Sequence, residues 1–100
     1  MNLSGKRGVV LGVLNKKSMA AACASRLMSA GAEVICSYLP VKGDEERRHI
    51  LATRAIPGIP PEHMLPCDVT NDNSIENFFN AVAKSFGEID FIVHGISLIS

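Results

Sequence analysis

Four short apolar runs, each parted from the next by a stretch able to hold a helix, constrain this chain more than any other feature. They are Gly8–Leu11 (GVVL), Glu33–Tyr38 (EVICSY), His63–Cys67 (HMLPC) and Asp90–His94 (DFIVH). Each has the length and composition of a buried strand. Strands joined through helices cannot form hairpins. Right-handed crossovers lay them parallel, with helices covering both faces of the sheet. The pattern β-α-β-α-β-α-β thus predicts an α/β, doubly wound parallel sheet.

The strand order expected of the amino-terminal half of a Rossmann-type sheet is 3-2-1-4, which makes the third strand an edge. Pro66 agrees, because a proline in an edge strand breaks no ladder bond. Between the first two strands, Ser18–Ala30 is predicted to be a helix. Met19, Cys23 and Leu27 recur along it, with Ala20, Ala24 and Met28 beside them, and this stripe is expected to face the sheet. Gly31 suits the left-handed position that ends a helix. Val41–Ala55 is helix-compatible but weakly periodic, and its charged run Asp44–Arg48 reads as a solvated face. Ile56–His63 holds three prolines and a glycine in eight residues, so no regular structure is expected there. Ser74–Gly87 is the clearest helix, with Ile75, Phe78, Phe79, Val82 and Phe86 forming one apolar stripe. Caps are available among Asn71–Asn73, and Gly87 closes the end. The 100 residues suffice for one domain.

Ten basic residues balance ten acidic ones, so no electrostatic case arises for a nucleic acid or an anionic membrane as partner. The start, MNLSGKRGVVLGVL, superficially resembles a signal peptide. Its apolar run ends at Leu14, before Lys16 and Lys17, with no small-residue cleavage site. No segment is long enough to span a bilayer. Cys23, Cys36 and Cys67 are widely spaced and odd in number, and no Cys/His spacing suggests a metal. Cys36 and Cys67 fall in apolar runs, where free thiols serve as small core residues; a reducing cytoplasm fits.

Chemistry concentrates at three places. The first is the turn VVLGVLNKKSMAAACA, Val9–Ala24. A helix start directs free N–H groups and a positive dipole at whatever lies before it. Gly12 permits a tight turn, Ser18 can cap the helix or donate to a phosphate, and Ala20–Ala22 allow close approach to the sheet. The same residues also suit a purely structural turn in a flavodoxin-like domain. The second is Asp68, directly after the third strand at the carboxyl edge where open α/β sheets bind ligands. Its carboxylate can accept a bond from an adenine amino group, or bond its own backbone in an Asx turn. The third is VHGISLIS, Val93–Ser100, beside the expected nicotinamide-ribose path. His94 reads as a strand end with a satisfied ring, without a partner to tune it for catalysis. His49 reads as solvated, and His63 as the start of a strand.

Together these features resemble the enoyl-acyl-carrier-protein reductases, a divergent branch of the short-chain dehydrogenase/reductases. The likeness lies in Gly12 followed after five residues by Ser18–Met19–Ala20, in CDV at Cys67–Val69 and in VHGIS at Val93–Ser97. LSGKR at Leu3–Arg7 and GAEV at Gly31–Val34 add to it. The resemblance implies an oxidoreductase of fatty acid biosynthesis that uses NADH, or NADPH, to reduce the trans-2 double bond of an enoyl thioester on acyl carrier protein. It implies that Gly12, Ser18 and Met19 line the pyrophosphate and ribose and that Leu39 lies near the adenosine. It further implies that Asp68 and Val69 hold the adenine and that Ile96 packs near the nicotinamide ribose. A cytoplasmic homotetramer is the corresponding expectation for the whole enzyme. Two positions depart from the pattern: Leu11 stands where many superfamily members have threonine, and Ser97 where the reductases usually have glycine.

The family's catalytic tyrosine and lysine have no counterpart here. The one tyrosine, Tyr38, belongs to the second strand. The chain thus reads as the amino-terminal part of such an enzyme, with no catalytic residue of its own and no turnover alone. The rivals are another short-chain reductase acting on a ketone or alcohol, and a non-enzymatic flavodoxin-like binding domain. Cofactor choice is open at the second strand's end. Tyr38–Val41 lacks the acid that usually holds the ribose hydroxyls of NAD, and Lys42 is the nearest charge.

Overall fold

The computed structural model describes residues 2–94. Strand β1 (Arg7–Leu11) is followed by α1 (Met19–Ser29), β2 (Glu33–Tyr38), α2 (Glu45–Arg54), β3 (Met64–Pro66), α3 (Asp72–Phe86) and β4 (Phe91–His94). The sheet order is β3-β2-β1-β4, with every neighbouring pair parallel. This is the predicted strand order, and Pro66 is on the edge strand β3, opposite Tyr38.

The two-residue period of the strands divides the core between the two faces. Val10, Val34, Cys36 and Tyr38 pack with Ala20, Ala21 and Ala24 of α1 and Ala52 of α2. Val9, Leu11 and Ile35 pack with Phe78, Val82 and Phe86 of α3. A strand buried on both faces reads as a near-continuous apolar run, which is why Gly8–Leu11 of β1 and Val34–Cys36 of β2 stand out in the sequence.

Helix α1 differs from expectation in its rotation. Its buried residues are Ala20, Ala21 and Ala24, with Leu27 and Met28 packed at the margin. Met19 is 79 % exposed. Methyl side chains let the helix axis come close to the sheet, and a longer side chain at Met19 would hold it off. The helix ends in a Schellman motif. The Ala32 N–H donates to Leu27 O and the Gly31 N–H to Met28 O, with Gly31 at φ +103°.

Helix α2 buries only Ala52, consistent with its weak periodicity. The proline-rich stretch is more ordered than expected: Pro61–His63 forms a 3-10 turn, so His63 precedes β3 instead of starting it. Ile56 and Ile59 from that stretch are buried in the core. Proline at the turn's first position presets the required φ and forfeits an N–H that has no helical partner there. Strand β3 ends at Pro66, and Cys67 follows it with its N–H donated to Tyr38 O. Helix α3 starts two residues earlier than Ser74, because Asn71 caps it by accepting from the Ser74 N–H at 3.0 Å.

Candidate functional site

The turn after β1 is tied to β2 by a residue that periodicity could not flag. Gly12, at φ +93°, donates its N–H to Ser37 Oγ at 3.0 Å. The Val13 N–H donates to Ser37 O at 2.8 Å. Ser37 is the buried polar residue of the core, and both its hydroxyl and its carbonyl serve this turn. The one available signal was a serine inside an otherwise apolar strand.

Asn15 shapes the next stretch, accepting from the Ser18 N–H through its carbonyl at 3.0 Å and from the Lys17 N–H through Oδ1 at 2.8 Å. Ser18 caps α1, its Oγ accepting from the Ala21 N–H at 3.1 Å. A hydroxyl that accepts still has its own O–H to donate. The amides of Met19 and Ala20, in the first turn, have no acceptor inside the helix, as helix geometry requires. Donors and dipole therefore converge on the space in front of α1.

That space is a cavity of about 540 Å³ at the carboxyl ends of β1, β2 and β3. Gly12, Ser18, Met19, Leu39, Asp68 and Val69 all line it. The structure thus brings together every expected cofactor-binding residue except Ile96, which lies outside the described residues with Gly95 and Ser97. Leu14, Ser37, Cys67 and Thr70 complete the wall and were not anticipated. Exposed Leu14, Met19 and Leu39 give it an apolar collar.

Asp68 forms the Asx turn that its sequence position allowed, and it lines the cavity. Its Oδ1 accepts from the Thr70 N–H at 2.9 Å and from the Thr70 hydroxyl at 2.6 Å, an Asx turn. Its own N–H donates to Ser74 Oγ at 2.8 Å, so α3 fixes the backbone that carries the carboxylate to the cavity. The Thr70 hydroxyl, and next the Thr70 amide, hold the carboxyl below the ordinary value of 3.8. A depressed folded-state pKa stabilises the fold above the unfolded value, and that contribution is lost as pH falls through the folded value. Thr70→Val is expected to raise the Asp68 pKa toward 3.8, read from the pH dependence of its carboxyl carbon resonance. An unmoved titration would show that the hydroxyl contributes nothing.

Burial pushes the Cys36 thiol up to about 12, with Cys23 adding to the effect. Cys67 is raised by burial and then by Asp68. Both thiols stay protonated and inert near neutrality, which suits packing. His49 is less solvated than expected. Its Nε2 lies 3.0 Å from Pro61 O and its ring meets Tyr38 edge-on at 5.5 Å, joining α2 to the 3-10 turn. The His63 ring meets Phe86 edge-on. His94 ends β4 and is exposed, not enclosed by neighbours. Among the described residues no group of three metal-ligating side chains occurs, and no helix is long and apolar enough to cross a membrane.

The sequence model of a family described as enoyl-(acyl carrier protein) reductase matches residues 12–100. A curated NADH-dependent enoyl-[acyl-carrier-protein] reductase from Nostoc is 33 % identical over 95 residues, covering 94 % of this chain and 36 % of that protein. An NADPH-dependent one from Staphylococcus aureus is 30 % identical over 97 residues, covering 97 % of this chain and 37 % of its own length. Among solved structures, the enoyl-(acyl-carrier-protein) reductase of Anaplasma phagocytophilum in complex with NAD superposes with a TM-score of 0.75 at 37 % identity. That superposition covers 92 % of this chain and 34 % of that one. The chain spans about a third of the length of the curated relatives it matches.

Proposed function

The chain belongs to the enoyl-(acyl carrier protein) reductase family, and from that membership we propose that it forms the dinucleotide-binding wall of such an enzyme. The substrate would be an enoyl thioester on acyl carrier protein, reduced at its trans-2 double bond. The observation that carries this reading is the cavity in which Gly12, Ser18, Met19, Leu39, Asp68 and Val69 meet at the carboxyl ends of three strands.

The donor set fits a dinucleotide. The Ser18 hydroxyl and the first amides of α1 suit a pyrophosphate, which needs donors and positive dipole. The apolar collar suits a flat base, and the Asp68 carboxylate suits its exocyclic amino group. Ile96 is assigned to the nicotinamide ribose on family likeness. When bound, the dinucleotide supplies a hydride for the β-carbon of the thioester. This chain's part is to anchor and orient it; the tyrosine and lysine that complete the chemistry belong to a region not represented in these residues. A cytoplasmic homotetramer is the corresponding assembly, and three unbridged cysteines are in keeping with a reducing compartment.

The test is calorimetric titration of the chain with NADH and NADPH, beside an assay for oxidation of either by a crotonyl thioester. Both dinucleotides are expected to bind, with affinities within about tenfold, roughly 1.4 kcal/mol. No turnover is expected from the chain alone. Failure to bind either dinucleotide would overturn the reading.

A further inference from the structure

Two consecutive amides of the turn after β1 are held by one residue of β2. The paired register of the two strands runs as far as Val10 and Cys36. One residue further along β2, the Ser37 Oγ accepts from the Gly12 N–H at 3.0 Å and the Ser37 carbonyl from the Val13 N–H at 2.8 Å. Any residue at this place supplies the carbonyl. The Gly12 bond depends on the side chain, since an apolar residue would leave that amide without its acceptor.

Ser37 is 1 % exposed, directly after the apolar stretch Val34–Cys36. A hydroxyl buried there is tolerated because it is bonded, and its bond goes to the wall of the cavity, which Gly12 and Ser37 both line. Leu11, the residue before the glycine, has no polar side chain to hold the turn and packs on the α3 face. Val13 is pinned from the other side, its side chain buried in the core on the α1 face. With their hydrogens engaged, the Gly12 and Val13 amides are not free to bind an anion. That duty falls to the Ser18 hydroxyl and the first amides of α1, which follow the turn that Ser37 holds.

We propose that Ser37 is a positioning residue for the dinucleotide: by fixing Gly12 and Val13 against β2, it aims the first turn of α1 at the pyrophosphate. The inference rests on the dinucleotide reading given above. It gives the one buried polar side chain among the described core residues a role in binding that it exerts through the turn.

The test titrates NADH calorimetrically into the chain and its Ser37→Ala and Ser37→Thr variants, each well below its thermal midpoint, and follows exchange of the Gly12 amide by NMR. Adenosine, which has no phosphate, is titrated in parallel. Circular dichroism verifies the fold of each variant. Alanine should weaken NADH binding about tenfold, the upper scale of one neutral hydrogen bond. It should speed exchange at Gly12 and leave adenosine binding unchanged. Threonine keeps the hydroxyl and suits a strand, so it should restore NADH affinity. Ser37→Cys keeps the volume but accepts only weakly; it should behave as alanine does and takes its place if alanine unfolds the chain. Undiminished NADH binding by a folded alanine or cysteine variant would overturn the role of Ser37 and leave the dinucleotide reading intact. An equal loss for NADH and adenosine, or a loss that threonine does not restore, would overturn it too, as a mark of general loosening of β2. No binding of NADH by the unaltered chain would overturn the dinucleotide reading, and this inference with it.

Discussion

Gly12→Val is expected to abolish dinucleotide binding. Gly12 adopts φ +93°, where a side chain is strained and a β-branched one most of all. Holding a non-glycine residue there costs about 1–3 kcal/mol. The chain would relieve that strain by moving the turn, which breaks the bond from the Gly12 N–H to Ser37 Oγ and shifts the donors before α1. Gly12 also lines the cavity, so a branched side chain would take space that the ligand needs. Affinity for NADH should fall at least about a hundredfold, roughly 2.7 kcal/mol, by titration of a variant shown to be folded. An unchanged affinity in a folded variant would mean that the turn is architectural and no part of a ligand site.

The largest stability loss is expected from Phe78→Ala. Phe78 is 2 % exposed and lies among Val9, Ile35, Val82 and Phe86 on the α3 face of the sheet. Its ring also stands edge-on to Phe79 at 5.1 Å. Truncating a buried phenylalanine costs about 3–5 kcal/mol, from lost transfer energy and the cavity left behind. Small domains have only about 5–15 kcal/mol in total, so the urea midpoint should drop steeply. A loss under about 1 kcal/mol would mean that α3 does not seal this face, against the cost usual for a buried ring. The substitution should also loosen the site, because Ser74 of α3 holds the Asp68 backbone.

Most of the architecture could be read in advance because its causes are local. Apolar runs of strand length, Gly31 and Gly87 as helix stops, and the Asn71–Asn73 caps are each visible within a few residues. Pro66 even indicated the edge strand. The rotation of α1 could not be read this way, since hydrophobicity ranks Met19 above alanine while helix-to-sheet distance favours the alanines. Ile56 and Ile59 are buried from a segment whose prolines argued only against helix and strand. At the site, Gly12, Ser18, Met19, Leu39, Asp68 and Val69, each singled out by family likeness, line one cavity. Ser37 escaped notice because its role is to satisfy the amide of Gly12, in the turn that follows the neighbouring strand β1.

The pairing of β1 with β4 bears on how the chain reaches this arrangement in time. Arg7 and Asp90, 83 residues apart, exchange two bonds: the Arg7 N–H donates to Asp90 Oδ2 and the Asp90 N–H to Arg7 O. The first strand made is therefore interior to the sheet, and its second neighbour is the last strand described. During synthesis at roughly 5–20 residues per second, β1 can find β2 early but waits several seconds more for β4. Over that interval one side of a largely apolar strand has no partner, and every closing contact spans most of the chain. Such long-range parallel pairing is intrinsically slow. The nascent chain therefore passes through a period in which a chaperone, or a neighbouring nascent chain, can compete for β1.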